Sequence, residues 1–490
     1  MRGPAAACYA SAMRLGWAFT NAFEVVTDVG QKLHFLRDSP AFVKLRVAEA
    51  VERWRAKAIE DKFPSLCSGG RGHGPHLLPI LRLLSQGSRD DEWTWQHRGA
   101  LKSAVSGRQW SQQGLYKAGL VDNKICQLCV ATLQCSPDSE DPAFFGTLIH
   151  RTCTCPALKE FRDKAMPLSV KANLQRCTLA DGTVDPQEFL WLTRALRRSP
   201  LCNVPDRDQE EWFEWVKRPD DGLLEGDVYT DGSLMDNEPE FEGTCRALGW
   251  SFVVLGPDGR VQAAARGCPP GYIDSIYGAE LWAVQMVVTR VFIGTARVIT
   301  DCESVRTGCQ RGSKWTTAPG RVYARTWAVV HATGDEGELQ VPVVWMPAHT
   351  ALRQIGSAVK SDGTFLSALD RDANDLADKG AKVAATSRRV AEAVRARLLE
   401  ESSEVADMAR WIAMVTVQAN HFHMGDGRFI RDSQAQGNCR NVARRGQKRK
   451  VERQLPESLT ERSERLLKLP RLAELKQRVL EKAAGRAEAE

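Results

Sequence analysis

Between residues 227 and 385 the hydrophobic period of the chain changes, and that change restricts the fold more than any other feature. GDVYTDGSL, LGWSFVVLGPDG and RVQAAARG are apolar, β-branched runs closed by turns, with Pro-Asp-Gly between the second and third, which predicts an antiparallel meander. Helical spacing follows in SIYGAELWAVQMVVTRVF, where Leu281, Val284, Val288 and Val291 form one stripe. ARVITD then reads as a strand, APGRVYARTWAVVHAT as a helix, LQVPVVWMPAH as a strand and ANDLADKGAKVAA as a helix. A meander followed by two strands reached through helices closes only as a mixed sheet. The expectation is therefore an α/β domain over 227–390, a mixed five-stranded sheet flanked by helices.

The flanks read differently. Residues 1–110 are expected to be helical, with SPAFVKLRVAEAVERWRAKAIE placing Ser39 at an N-cap, Pro40 at the first helical position and Val43, Val47, Val51, Trp54 and Ala58 at helical spacing. SGGRGHGPH interrupts that pattern. A cysteine-bearing segment occupies 111–177, a linker 178–226, a helical extension 391–437 and a charge-rich tail 438–490. Charge is unevenly distributed: the chain is +6 overall, and Arg440 to Arg453 alone carries seven basic residues against Glu452. Arg444, Arg445, Lys448, Arg449 and Lys450 are thus candidates for contact with a polyanion such as nucleic acid. The same tract reads equally as a nuclear address or a solvated linker. With 26% charged residues and no apolar run near the roughly 18 residues a spanning helix needs, a membrane protein is not expected. An intracellular location follows, nuclear or cytoplasmic, with the basic tract favouring the nucleus.

Four acids stand where chemistry is expected: Asp231 in YTDGS, Glu280 in GAELWAV, Asp301 in ITDCESV and Asp378 in NDLADKGA. Asp231 and Asp301 follow apolar strand residues, where a buried charge is costly without a partner. Carboxylates converging there repel one another unless a cation intervenes, and hard oxygen ligands select magnesium or manganese. Asp372 and Asp375 compete with Asp378 for the fourth position.

In these motifs, taken in this order over about a third of the chain, the sequence resembles the type-I ribonuclease H domains of non-LTR retrotransposon polyproteins. The resemblance carries the family's four acids onto Asp231, Glu280, Asp301 and Asp378, and its mobile histidine onto His349 in WMPAHT. It implies an endonuclease that hydrolyses the RNA strand of an RNA–DNA hybrid with two magnesium or manganese ions, leaving 5′-phosphates. The alternative is a nucleic-acid-binding protein in which the ribonuclease H fold does not cut. The stretch from His349 to Asp378 is longer than the family's usual loop. Arg311, Lys314, Trp315 and Arg321 in CQRGSKWTTAPGR read as a basic, aromatic-bearing loop able to meet a phosphate backbone, or as a solvated loop.

Cys126 and Cys129 form a C-x-x-C half-site, and His150 and Cys155 follow after a spacing suited to a tetrahedral structural zinc site; Cys135 and Cys153 are left over. The segment also resembles the zinc knuckle downstream of retroelement polymerases. Reduced free thiols are the alternative reading. The acidic pairs Asp90–Asp91 and Asp220–Asp221 sit in polar loops, so no polymerase site is expected, and the chain reads as the carboxyl-terminal part of a retroelement polyprotein or a gene derived from one. The oligomeric state is not readable.

Overall fold

The computed structural model describes residues 3–66, 74–85, 93–204, 210–219, 223–238, 241, 245–290, 292–293, 296–333 and 341–433. Arg444, Arg445, Lys448, Arg449 and Lys450, and with them the basic tail, lie outside the described residues. The chain is mixed α/β and divides into two compact units. The larger comprises Met1–Gln109, Thr152–Thr154 and Leu158–Gln418, and the smaller Trp110–Arg151, Cys155–Ala157 and Ala419–Glu490. No described helix is long and apolar enough to cross a membrane.

The amino-terminal part of the larger unit is less helical than its sequence suggests. Strands β1 (Ala18–Phe19), β2 (Glu24–Val26) and β3 (Lys32–His34) form a small antiparallel sheet. The helix Pro40–Glu60 does begin as expected, with the Ser39 hydroxyl accepting the Phe42 N–H and Pro40 at the first position. Its buried face, however, is Phe42, Arg46, Ala50 and Ala56, and Trp54 is exposed. The core it joins contains Trp17, Val25 and Leu33, with Val47 packed at its border, so the expected valine stripe, half-buried, lies beside the most buried face rather than at its centre.

The principal sheet has six strands, not five. In chain order they are β4 (Trp212–Lys217), β6 (Asp227–Met235), β7 (Ala247–Leu255), β8 (Val261–Cys268), β10 (Arg297–Thr300) and β11 (Val343–Trp345), while β5 (Leu223–Leu224) and β9 (Phe292–Ile293) make a separate parallel pair. Across the sheet the order is β11-β10-β6-β7-β8-β4; β6, β7, β8 and β4 are antiparallel neighbours, and β10 runs parallel to both β6 and β11. The extra strand falls inside 178–226, read from sequence as a linker. β4 is an edge strand: Phe213 and Trp215 pack against the core, while on the other face Glu214 pairs with Arg266 and Val216 is exposed.

Strand alternation divides the sheet between two cores. Val228, Trp250, Phe252, Ala263 and Ala265 face the helices Ile276–Arg290, Glu303–Thr316 and Ala324–His331. Tyr229, Val253, Ala264, Ile299 and Val344 face the other way, toward Ala373 and Ala377 of the helix Ala368–Ser387. That helix lies close because its surface is made of alanines and glycine. A side chain at Gly249 of β7 would collide with the Ala381 carbonyl, and one at Gly380 with Ser251. A long helix, Glu392–Asn420, follows, but the extension stops there: β12 (Phe422–His423) and β13 (Phe429–Ile430) form a hairpin in the smaller unit.

Candidate metal centres

The parallel pairing of β6 and β10 sets up the acidic cluster. Register places Thr230 opposite Thr300, so the next residues lie side by side, Asp231 in the middle of β6 and Asp301 just past the carboxyl end of β10. Glu280 comes from the Ile276–Arg290 helix, which reaches β6 only because residue 232 is glycine: a Cβ there would run into the backbone of Ala279 and Glu280. Oxygens of Asp231, Glu280 and Asp301 lie within 4.8 Å of one another, a grouping able to hold a metal ion.

Electrostatics shows how uncomfortable this grouping is with protein atoms alone. Asp231 is 6% exposed, and burial, reinforced by the charges of Asp301 and Asp378, pushes its carboxyl up to about 8. Burial likewise raises Glu280 well above the carboxylate range and raises Asp301. Asp231 Oδ2 and Glu280 Oε2 are buried with no hydrogen-bond partner. Buried acceptors normally find donors, so these two oxygens fit a ligand that is not protein. A hard divalent cation meets the requirement, supplying charge and oxygen coordination together.

Three further side chains border the cluster. Asp378 projects from the Ala368–Ser387 helix and its charge raises Asp231, Glu280 and Asp301, yet its nearest cation is Lys382 one turn on, at 2.7 Å. Asp372 and Asp375, its sequence competitors, are instead 3.5 Å from Arg371. Asn374 lies in mid-helix, the cap being Ser367, and its Nδ2 donates to Asp301 Oδ2 at 3.2 Å. Its amide is thus an orienting group for a cluster carboxylate. His349 is exposed, has a left-handed backbone (φ 48°), and its charge lowers the Asp301 pKa.

The long stretch after His349 folds on itself. Val359 bridges Phe365, Ser361 exchanges hydrogen bonds with Trp345, and the buried Lys360 ammonium donates to Asp370 at 2.7 Å. Asp370 also accepts from Tyr229, which fixes the start of the helix that carries Asp378. Sequence reading missed Asn374, Lys360 and Lys382; only Lys382, four residues after Asp378, left a signal, the spacing of a helical ion pair.

The basic, aromatic stretch is helix rather than loop. Arg311, Lys314 and Trp315 lie on Glu303–Thr316, which kinks at Gly312 (φ 73°), and Arg321 follows in the turn beyond. Glycine in the left-handed region turns the last helical residues so that Trp315 is packed by two guanidinium groups, Arg321 at 3.4 Å and Arg311 at 4.7 Å from its ring centre. Trp315, Arg321, Tyr277, Tyr323, Ser304 and Thr307 line a cavity of about 460 Å³. The lining draws on the same two helices that follow or carry cluster acids, Tyr277 from the helix of Glu280 and Ser304 from the helix after Asp301.

The smaller unit brings together the four residues with metal-ligand spacing. Cys126 precedes the helix Gln127–Leu133, which carries Cys129, while His150 and Cys155 bracket the π-helical turn His150–Thr154. Cys126 Sγ is 3.9 Å and Cys129 Sγ 3.7 Å from Cys155 Sγ, and Cys129 Sγ is 3.4 Å from His150 Nε2. A tetrahedral ion bonded at about 2.3 Å to sulfur sets sulfur–sulfur edges of roughly 3.8 Å, so the cluster has the dimensions of such a site. Hydrogen bonding to Cys126, with burial, holds the Cys129 thiol up to about 12, so these sulfurs become thiolates at neutral pH only when a cation stabilises them. Cys135 and Cys153 are not part of the grouping.

No family model matches the chain, and no curated protein matches it.

Proposed function

We propose that the chain is a metal-dependent endonuclease of the ribonuclease H type, hydrolysing the RNA strand of RNA–DNA hybrids to give 5′-phosphates. The observation that carries this reading is the convergence of Asp231 from the middle of β6, Asp301 from the end of the parallel strand β10 and Glu280 from the helix packed on them, with buried carboxylate oxygens of Asp231 and Glu280 lacking protein partners. Magnesium or manganese, as a pair of ions, would supply an activated water and neutralise charge on the leaving oxygen.

The chain's own residues do the rest. Asp231, from the middle of β6, would hold the metal together with Glu280 and Asp301. Asp378 is the fourth carboxylate, exchanging its Lys382 partner for a ligand role. Asn374 keeps Asp301 turned inward through its 3.2 Å hydrogen bond. His349, exposed beside Asp301, is placed to carry a proton between the site and solvent as product leaves. Exposed Arg311, Lys314 and Arg321 meet the sugar–phosphate backbone, and Trp315 offers an apolar platform at the cavity rim. The Cys126, Cys129, His150 and Cys155 site takes structural zinc, since four protein ligands leave no open position for catalysis.

Incubating the full chain with labelled RNA–DNA hybrid, duplex RNA and duplex DNA, with and without magnesium, tests the proposal. Magnesium-dependent cleavage confined to the RNA of the hybrid supports it. Tight hybrid binding without cleavage in either magnesium or manganese would make the chain a non-catalytic binding protein.

A further inference from the structure

The metal-ligand cluster of the smaller unit is joined to a distant part of the chain by contacts that start from the residues next to its ligands. Arg151, directly after His150, reaches Asp432 across 281 positions: its Nε meets Oδ2 at 2.5 Å and its Nη2 meets Oδ1 at 2.9 Å. Both side chains are buried, at 2% and 6% exposure, and the same Nη2 donates to the Trp110 carbonyl at 3.0 Å. Gln127, directly after Cys126, donates its backbone N–H to the Asp432 carbonyl at 3.1 Å. The N–H of Asp432 in turn donates to the carbonyl of Ala419, where the long helix ends. Asp432 is therefore gripped from both halves of the cluster.

The segment so held cannot hold itself. β12 and β13 pair through Phe422–Ile430 and His423–Phe429 only, and a two-stranded hairpin of that size is not independently stable in water. The π-helical turn that aims Arg151 is bounded by two ligands, His150 and Cys155, which also share a 2.7 Å backbone hydrogen bond. π-turns are strained insertions that persist where their surroundings fix them. A metal bound to both ends fixes this one.

We propose that metal occupancy of the Cys126, Cys129, His150 and Cys155 cluster controls attachment of residues 419–433, with Arg151 as the positioning residue that transmits it. The inference rests on the metal-site reading above. In this arrangement the metal orders the His150–Thr154 turn, the turn presents a two-pronged guanidinium to Asp432, and the hairpin is clamped at its exit. The sequence that continues from this clamp contains the basic tract, so the cluster anchors the root of the tail that carries the greatest charge density. Binding linkage makes the effect reciprocal: whatever loosens the clamp also weakens the metal.

Hydrogen exchange of the full chain, before and after treatment with a zinc chelator and after adding zinc back, tests this. Metal content measured on the same samples separates the two levels of the argument, since protein with no bound metal under reducing conditions overturns the metal-site reading itself. With metal present, the expected result is that chelation speeds exchange of the amides at 422–432 by at least about tenfold and that zinc restores protection. Arg151→Lys keeps the charge but loses the two-pronged contact, and Asp432→Asn loses the ion pair. Both are expected to bind zinc, with affinity reduced about 10-fold to 100-fold as for other outer-shell partners, and to show fast exchange at 422–432 while metal is bound. Metal-loaded protein whose 422–432 exchange is unchanged by chelation, or variants with wild-type exchange and zinc affinity, would overturn the proposal.

Discussion

Replacing Asp231 by asparagine removes one charge from the acidic cluster while nearly keeping the side chain's shape, and its consequence should be opposite to that of most core substitutions. Burial and neighbouring charges lift the Asp231 carboxyl from 3.8 in the unfolded chain to about 8 in the folded one. A carboxyl that holds its proton more tightly when folded makes folding less favourable as pH rises between those values, because the unfolded chain releases the proton first. Stability is thus retained at about pH 4 and lost progressively toward about pH 8. At about 1.4 kcal/mol per pH unit, the window bounds the effect at ~6 kcal/mol. Three carboxylates share the strain and water can enter an open site, so removing one should recover about 1–3 kcal/mol of it at pH 8. With each kcal/mol worth roughly 2–4 °C in a domain of this size, Asp231→Asn should raise the metal-free unfolding midpoint by about 3–10 °C near pH 8 and by almost nothing near pH 4. Magnesium should stabilise the wild type far more than the variant, and hybrid cleavage should vanish. Calorimetry across this pH range with and without magnesium reads all of these. A variant that is less stable than wild type at high pH, or whose difference does not depend on pH, would refute the electrostatic reasoning; full cleavage would refute the catalytic assignment.

Asp378→Asn should reduce hybrid cleavage by about 10²-fold or more, the scale of losing one well-placed electrostatic group, with partial recovery in manganese. Asp375→Asn, whose carboxylate faces Arg371, should stay within about twofold by the same measure, and the opposite pattern would move the fourth ligand by three residues. Gly232→Ala should cost about 1–3 kcal/mol by forcing the Glu280 helix from β6, and should depress cleavage, which thermal unfolding and single-turnover rates would show together. Cys126→Ser combined with Cys129→Ser should abolish zinc content and lower protection across 110–151, while hybrid cleavage persists because Asp231, Glu280, Asp301 and Asp378 all belong to the larger unit. Loss of cleavage on zinc removal would contradict that separation.

How much of this was legible depended on whether a residue's role is announced by its neighbours in sequence. Asp231 and Asp301 each follow a short apolar run, and a carboxylate in that setting is conspicuous however far apart the runs are. Cys126 and Cys129 announce themselves by spacing. Of the helices after residue 275, those with a sustained apolar period were readable, whereas Glu303–Thr316, broken by Gly312 and rich in polar residues, read as a loop. β4 was not: its short aromatic run is flanked on both sides by polar, proline- and aspartate-rich sequence that reads as a linker, and only its pairing with β8 shows it to be part of the sheet. The stripe of Pro40–Glu60 was misassigned for a related reason, since valines at helical spacing define a possible face, and which face is buried was decided by Trp17, Val25 and Leu33.

The groups that sequence could not supply are those that act on other side chains. Asn374 carries no local signal of its role: the helix begins at Ala368, after the Ser367 cap, and only the fold brings the amide to Asp301. Lys360, in a stretch that looked like surplus loop, neutralises Asp370 and so secures the first turn of the helix bearing Asp378. Arg151 and Asp432 are polar residues in unremarkable surroundings until the fold buries them together. In each case the local pattern is satisfied by water in the unfolded chain, and a specific partner is required only once burial removes that water. Residues that bind a ligand must carry its chemistry themselves and can be read singly. Residues that position them need only complementary polarity at the right place, so the fold, rather than the sequence around them, is what identifies them.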